Sequence, residues 1–141
     1  MDTDPRTGMA ILDEDTCWKL FDSADYVRIA VVVGDDLEIF PINTVVDGRT
    51  VVFRTAEGTK LAAVTISGRV VLEADGYDAA QAEVWSVVIK GDAERLESFH
   101  DIDRAEQLPL QEWTGHPKQW FVRVYPTQIT GRRFARGENI A

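Results

Sequence analysis

The sequence predicts a mainly β fold, a closed antiparallel barrel with a few short helices, and three observations carry that prediction. Six runs are β-branched, apolar or alternating, tight-turn signals separate them, and helical spacing is confined to short segments. At 141 residues the chain is one domain by length, long enough to bury a core.

Residues 1–12 mix Pro, Gly and charge and read as a flexible lead-in, which leaves 13–141 as the single domain. Asp13 to Phe21 has the spacing of a short helix, capped by Asp15 or Thr16, with Trp18 and Phe21 facing inward. "YVRIAVVV" (26–33) is a strand buried on much of both faces, and "GDD" turns the chain. "LEIFPINTVV" (37–46) is a second strand, where Pro41 demands a bulge or an edge position. "DG" at 47–48 signals a hairpin whose return strand is 49–55. "TKLAAVTIS" (59–67) reads as a short helix, 69–77 and 83–96 as strands, and 98–108 as a polar, acidic helix with i,i+4 pairs. The last strand, 118–130, is bent or ended by Pro126.

A net charge of −9 and a pI near 4.6 argue against nucleic acid or an anionic membrane surface as partner, since both select basic faces. One cysteine, Cys17, excludes an internal disulfide and fits a reduced, cytoplasmic setting. No stretch approaches the roughly 20 apolar residues of a membrane span, and "MDTDPRTGMA" lacks the pattern of a signal peptide.

The most pointed chemistry lies in "VVFRTAEGTKLAA" (51–63). Alternation puts Phe53 and Thr55 on one strand face with Val51, and Arg54 on the other with Val52. Thr59 is a good N-cap and Lys60 then takes the first helical position. Arg54, Lys60, two hydroxyls and the free N–H groups of a helix start suit a phosphate dianion. The alternative is that Glu57 neutralises Lys60 and the helix end. Neither the P-loop nor the dinucleotide glycine pattern occurs, so a mononucleotide phosphate at a barrel rim is the simple remaining idea.

These residues resemble the FMN-binding split β-barrel family that includes pyridoxamine 5′-phosphate oxidase, and its short actinobacterial members in particular. The resemblance runs from about Cys17 to Phe134 and rests on "EIFPINTVVDGRTVVFRTAEGTKLAAV", "WSVVIKGDAERL" and "ITGRRF" in order. It implies a six-stranded split barrel over 13–141 and a homodimer with two flavins at the subunit interface. By that match Arg54, Thr55, Thr59 and Lys60 hold the FMN phosphate. The "PIN" segment, chiefly Asn43, runs beside the isoalloxazine, and Trp85 and Ser86 lie on a strand that reaches the flavin, in some arrangements from the neighbouring subunit. The oxidase proper grips its substrate phosphate with aromatic, Arg and His residues in a long C-terminal segment. "ITGRRFARGENIA" lacks that pattern, so the resemblance implies the cofactor and a flavin hydride transfer to a small substrate without naming that substrate.

The deazaflavin F420 is the alternative cofactor, because it also carries a phosphate, although its polyglutamyl tail favours a longer basic groove. A non-catalytic flavin or haem module is the rival function. His100 and His116, sixteen apart in polar surroundings, read as loop residues, not as metal ligands. Cys17 beside Trp18 reads as a buried small hydrophobe. Trp113 and Trp120 read as packing at a core edge or dimer seam.

Overall fold

The computed structural model describes residues 2–64, 67–110 and 119–136. In chain order the elements are β1 (Asp2–Thr3), β2 (Ala10–Ile11), α1 (Glu14–Ser23), β3 (Val27–Val33), β4 (Asp36–Ile42), β5 (Thr44–Asp47) and β6 (Thr50–Ala56). There follow α2 (Lys60–Val64), β7 (Ser67–Asp78), β8 (Glu83–Arg95), α3 (Phe99–Glu106) and β9 (Gln119–Ala135).

All six expected strands form, and the fold is mainly β. The run 37–46 is divided at Asn43: its first half, β4, pairs with β3, and its second half, β5, pairs with β6. The sheet therefore runs β1-β2-β9-β8-β7-β3-β4, with β6 added to β9 and β5 to β6. This corrects the closed barrel read from the sequence, because among the described residues no ladder joins β4 to β6 and the nine-stranded sheet stays open there. The chemistry of the edge explains the opening. Pro41, opposite Arg28 of β3, has no N–H to offer a further strand.

Local signals account for most elements. The β5–β6 hairpin pairs Asp47 with Thr50 around Gly48 and Arg49, whose φ angles are 57° and 61°. Two positive φ values match a type I′ turn, which follows the twist of the strands. Arg49 is held there by ion pairs to Glu14, at 3.0 Å, and to Asp15. Helix α1 is capped by Asp13, not by Asp15 or Thr16, and the Asp13 carboxylate accepts from the Thr16 N–H at 2.8 Å. The 59–67 helix is shorter than expected, since strand β7 already begins at Ser67. Pro126 bends β9 without ending it, where the register with β8 shifts between Lys90 and Gly91.

The core lies inside the sheet and under α1. Phe21, Ile29, Phe53, Leu72 and Ile89 are fully buried, each side chain contributing about 1.5–3 kcal/mol by leaving water. Trp18 and Phe21 meet edge to face at 6.4 Å, as their inward spacing predicts. Cys17 is buried against β9, where a Cβ on Gly131 would come within 2.7 Å of its Sγ. That contact gives the glycine of "ITGRRF" a packing reason. Residues 10 and 11 pair with Arg133 and Arg132 of β9, so this part of the 1–12 segment joins the sheet. A second, smaller cluster (Val52, Leu96, Ala105 and Phe121) seats α3 on the other face of β6 and β9.

Candidate functional site

A cavity of about 320 Å³ fills the gap that the open sheet leaves beside β4 and β6. Phe40, Pro41 and Ile42 of β4 and the adjoining Asn43 form one wall. Arg54, Thr55 and Ala56 of β6 form the other, while Thr59, Lys60, Leu61 and Leu110 complete the lining. Strand alternation and the turn "AEG" thus bring five of the seven expected residues, Asn43, Arg54, Thr55, Thr59 and Lys60, to one place. None of the described lining residues is acidic. In a chain of net charge −9 that local exclusion selects for an anion.

Thr59 caps α2 as expected. Its Oγ1 accepts from the Ala62 N–H at 3.1 Å, and its hydroxyl donates to the Ala56 carbonyl at 2.8 Å. With that proton used, the 3.1 Å contact to Thr55 must run from the Thr55 hydroxyl to Thr59. The two threonines therefore fix the turn that presents Lys60 and the first N–H groups of α2, and their protons are committed within it.

The two cations differ. Lys60 is exposed and lies 3.7 Å from Glu38 of β4. The sequence offers Glu57 only as the alternative to a bound anion, and the acid the fold brings near Lys60 comes instead from across the gap. Arg54 is half-buried, with its guanidinium carbon 4.8 Å from the centre of the Phe121 ring. Its Nε is buried without a hydrogen-bond acceptor, and it makes no ion pair among the described residues. An N–H drawn out of water and left without an acceptor is costly unless a ligand supplies one. The cavity has apolar walls for a flat ring and, in the unpartnered Arg54 Nε beside Lys60, donors for a phosphate, so its residues fit a flavin nucleotide.

Trp85 and Ser86 stand apart. Neither lines the cavity within this chain, and alternation along β8 sends them to opposite faces. Trp85 packs at the edge of the core over Gly76, where an added Cβ would lie 2.6 Å from the indole. Ser86 sits opposite Asp75 on β7. Sequence reasoning missed the apolar wall formed by Leu61 and Leu110, which reads as ordinary hydrophobic pattern. His100 is exposed on α3, while His116 and Trp113 lie outside the described residues. Trp120 stacks on the Arg95 guanidinium at 3.8 Å.

The chain is similar over most of its length to known proteins. The FAD binding protein from Mycobacterium smegmatis shares 45% identity, with 91% of this chain and all of that one covered at a TM-score of 0.82. A Corynebacterium glutamicum structure shares 35% identity over 90% of this chain and 98% of its own, with a TM-score of 0.78. A Mycobacterium tuberculosis (strain H37Rv) protein is 44% identical over 92 residues, which cover 65% of this chain and 82% of that protein. The profile described as pyridoxamine 5′-phosphate oxidase matches residues 13–133. With that match running from α1 through most of β9 and taking in the cavity, the chain belongs to the pyridoxamine 5′-phosphate oxidase family.

Proposed function

We propose that this chain binds a flavin nucleotide in the gap beside β4 and β6 and acts as a flavin-dependent oxidoreductase on a small substrate. The observation that carries the reading is Arg54: half-buried, stacked on Phe121 and with its Nε–H buried without an acceptor at the rim of an apolar cavity. Arg54 and Lys60 would hold the FMN phosphate, Thr55 and Thr59 would keep the turn in shape, and Asn43 would border the ring. A bound flavin accepts and passes on a hydride, while the protein supplies position and electrostatics. Trp85 and Ser86 would reach the ring from a second copy, which makes the working unit a homodimer. The proposed setting is the cytoplasm, and no described helix is long and apolar enough to cross a membrane.

FAD is the second reading, favoured by the 45% identical FAD binding protein. It shares the flavin and a phosphate with FMN and adds an adenylate. The test is the visible spectrum of the protein purified without added cofactor, followed by denaturation and mass analysis of what is released. Released FMN or FAD supports the reading and decides between the two. A deazaflavin spectrum moves the assignment to F420, and a Soret band to a haem module. Colourless protein that binds none of these on titration overturns it. Hydride transfer from NADH, NADPH or reduced F420 separates an enzyme from a carrier.

A further inference from the structure

Buried N–H donors without acceptors are rare, because each has given up its bond to water for nothing in return. Arg54 Nε has a neighbour in the same condition, Gln119 Nε2, which is buried and also without an acceptor. The β6–β9 register brings them together: Arg54 lies opposite Phe121 and Ala56 lies opposite Gln119. Arg54 and Gln119 are therefore diagonal neighbours on one face, and such positions stand about 7–8 Å apart, within reach of long side chains. Phe121, two residues along β9 from Gln119 and on the same face, carries the Arg54 guanidinium on its ring. Ala56, the cross-strand partner of Gln119, lines the cavity. Both N–H groups are therefore buried on one face of the pair without an acceptor.

We infer that Gln119 is part of the anion site and donates its Nε2–H to the same phosphoryl group that Arg54 holds. The inference rests on the flavin-nucleotide reading and specifies the tail it selects. Arg54 and Lys60 together carry two positive charges, which match a phosphate monoester dianion. A third donor that is neutral satisfies another oxygen without exceeding that charge. The pattern thus favours a terminal monoester such as that of FMN over a singly charged carboxylate.

The experiment titrates FMN and riboflavin into the wild-type protein, Gln119→Leu and Gln119→Glu, and records the melting temperature of each without ligand. Gln119→Leu is expected to weaken FMN about tenfold, the worth of a hydrogen bond to a charged group. Riboflavin, which has no phosphate, should change by less than about twofold on the same reasoning. The ligand-free melting temperature should hold or rise, since the variant removes a donor that had no acceptor. Gln119→Glu should weaken FMN further through like-charge repulsion. An unchanged ratio of FMN to riboflavin affinity in both variants overturns the inference, as does equal loss of both ligands with a lowered melting temperature. If the wild-type protein binds neither flavin, the flavin reading is what fails. Inorganic phosphate then becomes the probe: a melting shift with phosphate that Gln119→Glu abolishes keeps Gln119 in an anion site, and no shift removes it.

Discussion

Arg123 and Arg54 lie on the same face of the β6–β9 pair as diagonal neighbours, Arg123 opposite Val52 and Arg54 opposite Phe121. Arg123, only 13% exposed, donates to the Asp47 carboxylate at 2.9 Å and to Thr50 Oγ1 at 2.5 Å. Arg104 of α3 approaches the same carboxylate at 3.7 Å. Two residues further along the pair, Arg54 has an aromatic ring beneath it and makes no ion pair among the described residues. Arg123 is buried with its acceptors, whereas Arg54, like Arg95 on Trp120, buries its Nε without one. What sets Arg54 apart is its place on the cavity wall, where a ligand can supply the acceptor.

The comparison is sharpened first at the matched arginine. Arg123→Ala strands the half-buried Asp47 and should cost about 2–3 kcal/mol of stability, read as a shift in urea midpoint at constant slope. Flavin affinity should hold once the variant is kept folded. Arg54→Met, which keeps apolar bulk on Phe121, should do the reverse. Its ligand-free stability should stay within about 0.5 kcal/mol or rise, while FMN binding weakens by about 2 kcal/mol, near thirtyfold, and riboflavin binding barely moves. A marked loss of ligand-free stability in Arg54→Met would make the two arginines alike and remove the contrast.

Lys60 should give a smaller effect of the same kind. Its pairing with Glu38 is exposed, so Lys60→Ala should change stability by less than about 0.5 kcal/mol. FMN affinity should fall about fivefold, and the loss should shrink at high salt, because an exposed cation is screened more than a buried one. Isothermal titration at two ionic strengths checks this. A salt-independent loss would place the Lys60 charge in a drier environment than its exposure indicates.

What the sequence made legible follows distance along the chain. The six strands, the hairpin at Asp47–Gly48 and the Thr59 cap depend on neighbours within a turn or a strand, and local rules reached them. The gathering of Asn43 with Arg54 needed only one hairpin. Glu38 beside Lys60 was missed because it crosses the gap between strands that do not pair. Gln119 was missed because nothing local links it to Ala56, and only the β6–β9 register does. The opening of the sheet was half visible, since Pro41 announced an edge, yet the change of partner at Asn43 is a property of the whole sheet. Trp85 and Ser86 show a resemblance reaching further than one chain's geometry. The alternation that sorted Arg54 from Thr55 also puts these two on opposite faces.

On the outer surface the imbalance is inverted, with one cation serving two acids. Arg28 lies 3.4 Å from both Glu73 and Asp75. Partial burial, together with the hydrogen bond and charge of Asp75, pushes the Glu73 carboxyl up to about 7, with Arg28 pulling it back. An acid whose folded value is raised keeps its proton longer in the folded chain than in the unfolded one. As pH rises from the ordinary value of 4.5 towards 7, the unfolded chain releases that proton first, so stability declines across this window and levels above it. Glu73 is a third exposed, and solvent screening should keep the decline below about 1 kcal/mol. Urea midpoints measured from pH 4.5 to 8 should therefore fall slightly for the wild-type protein. Glu73→Gln should flatten that trend and be the more stable of the two at pH 8. A wild-type midpoint that rises over the same window would mean that Arg28 outweighs burial and Asp75, and that this face holds no surplus of acid.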